Sequence, residues 1–361
     1  MKTKKIIAID LGNDQIKIKT GMAKKNEYIF PTALLAVADT NTVSLFSQGE
    51  DYPVFKTEVN DFEENYFGPQ LRDIGYEENW SRSIGYGLRR YKTENFQAML
   101  SYALGLSFMD EGAGTYEVNI VTGLPTTDAG DPRLTDDTES KRCIINYLKE
   151  EQSIIINDKT YIIKVGEVQV LPQYFGLLVD RAFNKDLTIA DEDIINKKNA
   201  VLDLGGGTTL GDVAIGLSIK GGQQFNIDSG VSDVISGIGN AIAQEHGINI
   251  NSNNVIMDMI KSRSEEAGYE YSPGNANYVY DVTPQIKEGR KQYTRKIKNL
   301  IQSKILHPEE LSNIIIGGGG ANLIYMEDIE KEYPEAVLAD ESELANVRGY
   351  YKFGLIKEFG E

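Results

Sequence analysis

At about 150 residues per domain, a chain of 361 residues makes two or three domains. Hydrophobic residues at 41% and charged residues at 25% are ordinary globular usage, which excludes wholesale disorder. The net charge of −17, from 37 basic and 54 acidic residues, repels a phosphate backbone and speaks against direct nucleic-acid binding.

The rare residues narrow the chemistry further. The one cysteine, Cys143, excludes an intramolecular disulfide framework and a multi-cysteine zinc site. His246 and His307 are too few for a histidine cluster. Apolar runs such as Ile6–Ile9 and Ile314–Ile316 fall far short of the roughly 20 residues that span a bilayer. The N-terminal lysines have no apolar stretch behind them, so no signal peptide is expected. These features predict a soluble cytoplasmic protein with no membrane partner.

In chain order, the first strong signal is Lys5–Thr20, two β-prone apolar runs around Gly12-Asn13-Asp14, the composition of a tight hairpin turn. The stretch Asp51–Tyr91 is rich in aromatics, acids and glycines without clear period, and reads either as an inserted subdomain over about 35–92 or as a surface lobe. Phe96, Met99, Leu100, Ala103 and Leu104 repeat with helical period behind Thr93, a suitable N-cap. Tyr116–Val121 reads as a buried strand ending at Gly123-Leu124-Pro125, and Tyr161–Leu171 as an alternating strand stopped by Pro172. Ala200–Ile215 repeats the strand–glycine–strand form around Gly205-Gly206-Gly207. Val231, Val234, Ile235, Ile238 and Ile242 make an apolar helical stripe ending at Gly247, a natural C-terminal cap. Thr283–Leu306 is a second helix, whose Lys287, Arg290, Lys291, Arg295, Lys296 and Lys298 form a solvated face. Last comes Ile314–Ile316, a short buried strand running into Gly317–Gly320 and an apparent helix. The pattern restarts near Gln173, so the chain reads as two related α/β lobes of similar size.

A polyphosphate needs donors, close backbone approach and a divalent cation. Gly12, Gly205, Gly206 and Gly207 let backbone N–H groups reach phosphate oxygens, with Asn13 and Asp14 completing the first turn. The hydroxyls of Thr208 and Thr209 are further donors, and Lys17 on the return strand supplies a point charge. Asp10 and Asp203, each just before a turn, are hard oxygen ligands suited to Mg²⁺. Gly317, Gly318, Gly319 and Gly320 would let the backbone lie flat against a base or ribose, with Asn322 just beyond. A strand rather than a helix follows Gly205–Gly207, so the dinucleotide fingerprint does not apply, and no P-loop sequence occurs.

These residues resemble a family. Asp10-Leu-Gly-Asn-Asp-Gln-Ile-Lys17 resembles the first phosphate motif of the actin, sugar-kinase and heat-shock-chaperone superfamily. Asp203-Leu-Gly-Gly-Gly-Thr-Thr resembles its second phosphate motif, and Ile316-Gly-Gly-Gly-Gly-Ala its adenosine motif. Within it, Val118–Pro125, Ile163–Pro172 and Val347–Gly354 are most similar to ParM-type bacterial actins that segregate plasmids. The resemblance implies an actin-like two-lobed fold, 1–172 with 346–361 as one lobe and 173–345 as the other, each lobe a duplicated ribonuclease-H-like mixed sheet with flanking helices. It implies ATP or GTP with Mg²⁺ in the interlobe cleft, one phosphate hairpin from each lobe, and nucleotide-dependent filaments. It also implies an NTP hydrolase and a DNA-binding adaptor of the ParR type. Hinge helices are expected near Gln173 and Asn346, where Gly176, Gly349 and Gly354 permit close crossing.

Two departures from the family pattern matter. Gln173 stands where such actins often carry a glutamate. Glutamine cannot act as a general base, but it can orient a water for attack, so it is expected to support slow hydrolysis. The return strand reaches its aspartate, Asp212, two residues later than in the chaperones, so Asp212 is not assigned to the metal. Related proteins also present a carboxylate and a cation to ribose and base from a helix matching Glu288 and Lys291, three apart on one face. The alternatives are an MreB-like or other bacterial cytoskeletal actin, or a sugar-kinase-like phosphotransferase. Asp128, Asp131, Asp136 and Asp137 offer the latter carboxylates, but without a recognisable pattern.

Overall fold

The computed structural model describes residues 4–40, 52–85, 87–130, 138–219, 224–227, 230–248, 250, 252–274 and 278–359. Asp131, Asp136 and Asp137 lie outside the described residues. The chain forms two compact units, Met1–Ala190 with Asn346–Glu361, and Asp191–Ala345.

The first unit is built on a ten-stranded mixed sheet. Strand β1 (Lys5–Leu11) turns into β2 (Gln15–Lys19), which pairs with β3 (Glu27–Pro31). Helix α1 (Glu94–Leu106) follows, started by the Thr93 hydroxyl accepting from Phe96 N–H. Then come β4 (Gly114–Leu124), α2 (Glu139–Lys149), β5 (Gln152–Ile156) and β6 (Lys159–Pro172). The sheet order is β3-β2-β1-β4-β6-β5, with β4 parallel to both β1 and β6. Fully buried Ile7, Ile9, Leu104 and Ile163 sit in one apolar core. The aromatic stretch continues this sheet rather than leaving it. Val54–Thr57 pairs with β5, and the order runs on through Asn65–Tyr66, Ala33–Ala36 and Ser81–Arg82. A small second core of Ala33, Leu35, Leu71 and Trp80 supports that extension.

Helix α3 (Gln173–Ala182) follows directly on β6. Sequence reading counted it with the second half, whereas it packs within the first unit, against the C-terminal helix Ala345–Phe359. The crossing expected at Gly176 and Gly349 is present, and a β-carbon on Gly349 would collide with the Gly176 carbonyl. Asp180 on α3 accepts from Arg348 at 3.0 Å and pairs with Lys352 at 2.8 Å, so charge as well as close packing fixes the two helices together.

The second unit repeats the plan. Strand β7 (Lys198–Leu204) turns into β8 (Thr209–Ile215). Helices α4 (Val231–His246), α5 (Asn253–Ser262) and α6 (Thr283–Lys304) follow, then β9 (Asn313–Gly317) and β10 (Ala336–Leu338). The order β8-β7-β9-β10, antiparallel then parallel, matches β2-β1-β4-β6 of the first unit. Gly247 closes α4 at φ 66°, as its position in the sequence requires. Ile235, Ile238 and Ile242 of α4, Ile286 and Ile297 of α6, and Ile314 and Ile316 of β9 share this unit's core.

Candidate phosphate turns and adenosine turn

Both glycine hairpins have the same construction. In the first, Asp10 faces Lys17 and Leu11 faces Ile16, leaving Gly12 to Gln15 as a four-residue turn. In the second, Asp203 faces Leu210 and Leu204 faces Thr209, leaving Gly205 to Thr208. A β-carbon on Gly12 would stand 2.8 Å from the Gln15 carbonyl oxygen, and one on Gly205 would stand 2.8 Å from that of Thr208. The opening glycine of each turn is therefore required by close backbone approach. Asp10 and Asp203 are 2% and 3% exposed, each at the end of a buried strand.

The carbonyls of the turns are anchored to the protein. Gly12 O accepts from Thr32 Oγ1 and from Arg90 Nη2, both at 2.9 Å. Gly205 O accepts from Val231 N–H at 3.1 Å, and Gly206 O from Ser232 N–H at 2.9 Å, both donors in the first turn of α4. In a trans peptide the C=O and the next N–H point in opposite directions. The N–H groups of Asn13, Gly206 and Gly207 are thereby directed away from these anchors, as donors to an anion require. Gly230 lets α4 come this close, since a β-carbon there would collide with Gly206 O.

The third glycine run forms a turn of 3₁₀ helix, Gly319–Leu323, after Gly318 at φ 87°. It packs on the second hairpin: a β-carbon on Gly318 would strike the Asp203 carboxylate, and one on Gly320 would meet Leu204 O at 2.9 Å and Tyr293 Oη at 3.0 Å. Asn322 donates back to Gly319 O at 3.2 Å. Gly317, Gly318, Gly319, Gly320 and Asn322 thus lie beside Asp203. Thr208 is half-buried, whereas Thr209 is fully buried with its hydroxyl toward the Tyr293 phenol. Burial holds that phenol well above its usual pKa, so it stays neutral. Beyond the turn, Arg290 donates to Leu323 O and pairs with Glu265 at 3.0 Å, its guanidinium 4.3 Å above the Tyr325 ring.

Glu288 and Lys291 are exposed on α6. Glu288 accepts from Gln292 and lines a cavity of about 520 Å³ between α4 and α6 with Gly237, Ala241, Gln285 and Lys296. Among the described residues no hydrogen bond joins Glu288 or Lys291 to a glycine turn. Gln173 is the first residue of α3, partly exposed, and its carbonyl accepts from Tyr350 Oη at 3.0 Å. Helix α3 has no side-chain cap hydrogen bond. Asp128 accepts from Gly87 N–H and Tyr91 Oη, so its carboxylate is engaged in holding loops.

The donor set fits Mg²⁺. Among the described residues no cluster of three or more metal-binding side chains exists, and Mg²⁺ is normally held by one or two carboxylates with phosphate oxygens and water. Buried Asp10 and Asp203 each offer one such carboxylate beside an N–H-presenting turn. Arg90, Thr32, Gly230 and Tyr293 were not singled out from sequence. Only Gly230 carried a signal there, as a glycine directly before an apolar helical stripe.

Comparison with known proteins supplies a lineage. A family model described as the N-terminal domain of actin-like proteins matches residues 8–176, and one described as the Alp7A C-terminal domain matches residues 198–347. No curated protein matches in sequence. The crystal structure of actin-like protein Alp7A is 15% identical at a TM-score of 0.76, covering 98% of this chain and 97% of that one. Bacillus thuringiensis ParM with ATP is 16% identical at 0.71, covering 99% and 100%. The Alp12 filament structure is 17% identical at 0.62, covering 98% and 99%. At such identities the structures establish a shared fold. No helix among the described residues is long and apolar enough to cross a membrane.

Proposed function

The chain belongs to the actin-like proteins, with a C-terminal domain of the Alp7A type, and from that premise we propose that it is a nucleotide-dependent, filament-forming ATPase that segregates plasmid or similar DNA through a DNA-binding adaptor. The observation that carries the reading is the pair of register-matched four-residue turns. Each directs backbone N–H groups away from its anchors and each is preceded by a buried aspartate.

In this reading phosphates of ATP or GTP are held by the Asn13 N–H in the first turn and by the Gly206 and Gly207 N–H groups and the Thr208 hydroxyl in the second. Lys17 adds positive charge at the first turn. Bound Mg²⁺, held through Asp10 and Asp203, would neutralise phosphate charge and favour attack on the terminal phosphoryl group. Gly317–Gly320 offers backbone without side chains to the nucleoside. Gln173 orients the attacking water, and because an amide takes no proton, hydrolysis is slow and serves as a timer. Loss of the terminal phosphate removes an anion that the turns bind and destabilises the filament. Alp12 was solved as a filament and B. thuringiensis ParM with ATP, which supports assembly and the nucleotide class. The net charge of −17 favours a basic adaptor of the ParR type over direct DNA contact.

The test is purified protein with ATP or GTP and Mg²⁺. Light scattering and pelleting should rise above a critical concentration and decay as phosphate is released. Protein that stays in the supernatant under every nucleotide while phosphorylating a sugar would replace this reading with a phosphotransferase.

A further inference from the structure

Arg90 has no role among the expected nucleotide-binding residues, yet it is 8% exposed and its side-chain hydrogen bonds lead to the first phosphate turn and to Ser83 in the loop before it. Its Nη2 donates to Gly12 O at 2.9 Å, and its Nε to Ser83 O at 3.1 Å. The guanidinium lies 5.1 Å above the Phe96 ring. Among the described residues no carboxylate forms an ion pair with it. Burial lowers its pKa, and the attraction of Tyr91 and of the buried Asp10 carboxylate offsets this only in part, so a further anion at the turn would stabilise the charge. The loop is strapped to the turn a second time, by Gly85 N–H donating to Asn13 Oδ1 at 2.9 Å.

We propose that Arg90 is a positioning residue for the polyphosphate: it pins the Gly12 carbonyl inward, so that Asn13 N–H faces the phosphate, and places a fixed positive charge behind the turn. Two helix N–H groups do the corresponding work in the second unit, where Val231 and Ser232 hold Gly205 O and Gly206 O. The first turn has no helix N-terminus among these anchors. There the work falls to Arg90 and Thr32, which share one acceptor. An arginine suits the place because its planar fork bonds Gly12 O and Ser83 O from different nitrogens, a geometry that a lysine ammonium reproduces poorly.

The inference rests on the nucleotide reading above and is tested separately from it. Full-length wild type, R90Q, R90K and T32V are titrated with a fluorescent purine triphosphate and, in competition, with the matching nucleoside, and each is melted without ligand. R90Q should lose about tenfold or more in triphosphate affinity, as removal of a buried charge-assisted donor predicts, with nucleoside affinity unchanged. R90K should recover part of that loss by restoring charge. T32V should weaken the triphosphate by a smaller factor, and by less still in the R90Q background, because both residues serve one carbonyl. Equal losses for triphosphate and nucleoside, or wild-type triphosphate affinity in R90Q, would reduce Arg90 to a structural residue. Should R90Q show no cooperative melting, R90K and T32V decide, and a wild-type ratio of triphosphate to nucleoside affinity in both overturns the proposal. A wild-type chain that binds no triphosphate would instead sink the nucleotide reading itself.

Discussion

Lys17 Nζ lies 3.1 Å from Asp10 Oδ2 across the first hairpin, with the lysine side chain 11% and the carboxylate 3% exposed. In the second hairpin the residue opposite Asp203 is Leu210. Two turns of one design therefore differ in charge: the first carries its own cation between the strands, and the second presents an aspartate with an apolar cross-strand neighbour.

Lys17→Met should leave a buried carboxylate without this partner. The expected loss of stability is on the order of 3 kcal/mol, read by urea denaturation, together with weaker triphosphate binding. Asp10→Asn in the Lys17→Met background should restore much of the stability but not the binding, because it removes the stranded charge without replacing the ligand. Unchanged denaturation of Lys17→Met would show that the pair contributes nothing.

Asp203→Ala should abolish the part of nucleotide affinity that depends on magnesium. Calorimetry with and without a chelator separates the two contributions. A variant whose affinity still responds to Mg²⁺ as the wild type does would remove Asp203 from the metal site.

Gln173→Ala should slow phosphate release while nucleotide binding and the onset of light scattering persist. Gln173 is the first residue of α3, and its main-chain carbonyl rather than its side chain accepts from Tyr350 Oη, so that bond survives the substitution. Hydrolysis at the wild-type rate would exclude Gln173 from water positioning.

Two glycine-to-alanine changes should act in opposite directions. At Gly349 the new β-carbon meets the Gly176 carbonyl where two helices cross, and forcing them apart should cost about 2 kcal/mol or more. At Gly237, inside α4, nothing lies within 4 Å of an added β-carbon, so alanine should stabilise by roughly 0.5–1 kcal/mol through helix propensity. Thermal melts of the two variants that shift the same way would contradict this account of the crossing.

Much of this was legible in the residues. Period-2 and period-3.6 patterns located β4, β6, α1, α4 and α6 to within a few residues, because burial of one face imposes those spacings. Thr93 and Gly247 marked helix ends through local backbone chemistry. The helix of Glu288 and Lys291 was found, but the side of it that faces the glycine turn is set by packing. Lys287 and Arg290 turn to Glu265, while Glu288 turns to the cavity beside α4.

What the sequence determined by itself was local: two strand–glycine–strand hairpins with an aspartate before each turn, and a third glycine run behind a buried strand. Such features need only neighbours in the chain, so composition and spacing report them. Tertiary structure alone decided what holds those turns in shape. Arg90 reaches Gly12 from 78 positions away, and Ser232 reaches Gly206 from 26. Hydrogen bonds over such separations depend on which strands pair and which helices pack beside them, and nothing in the local residue pattern encodes the partner.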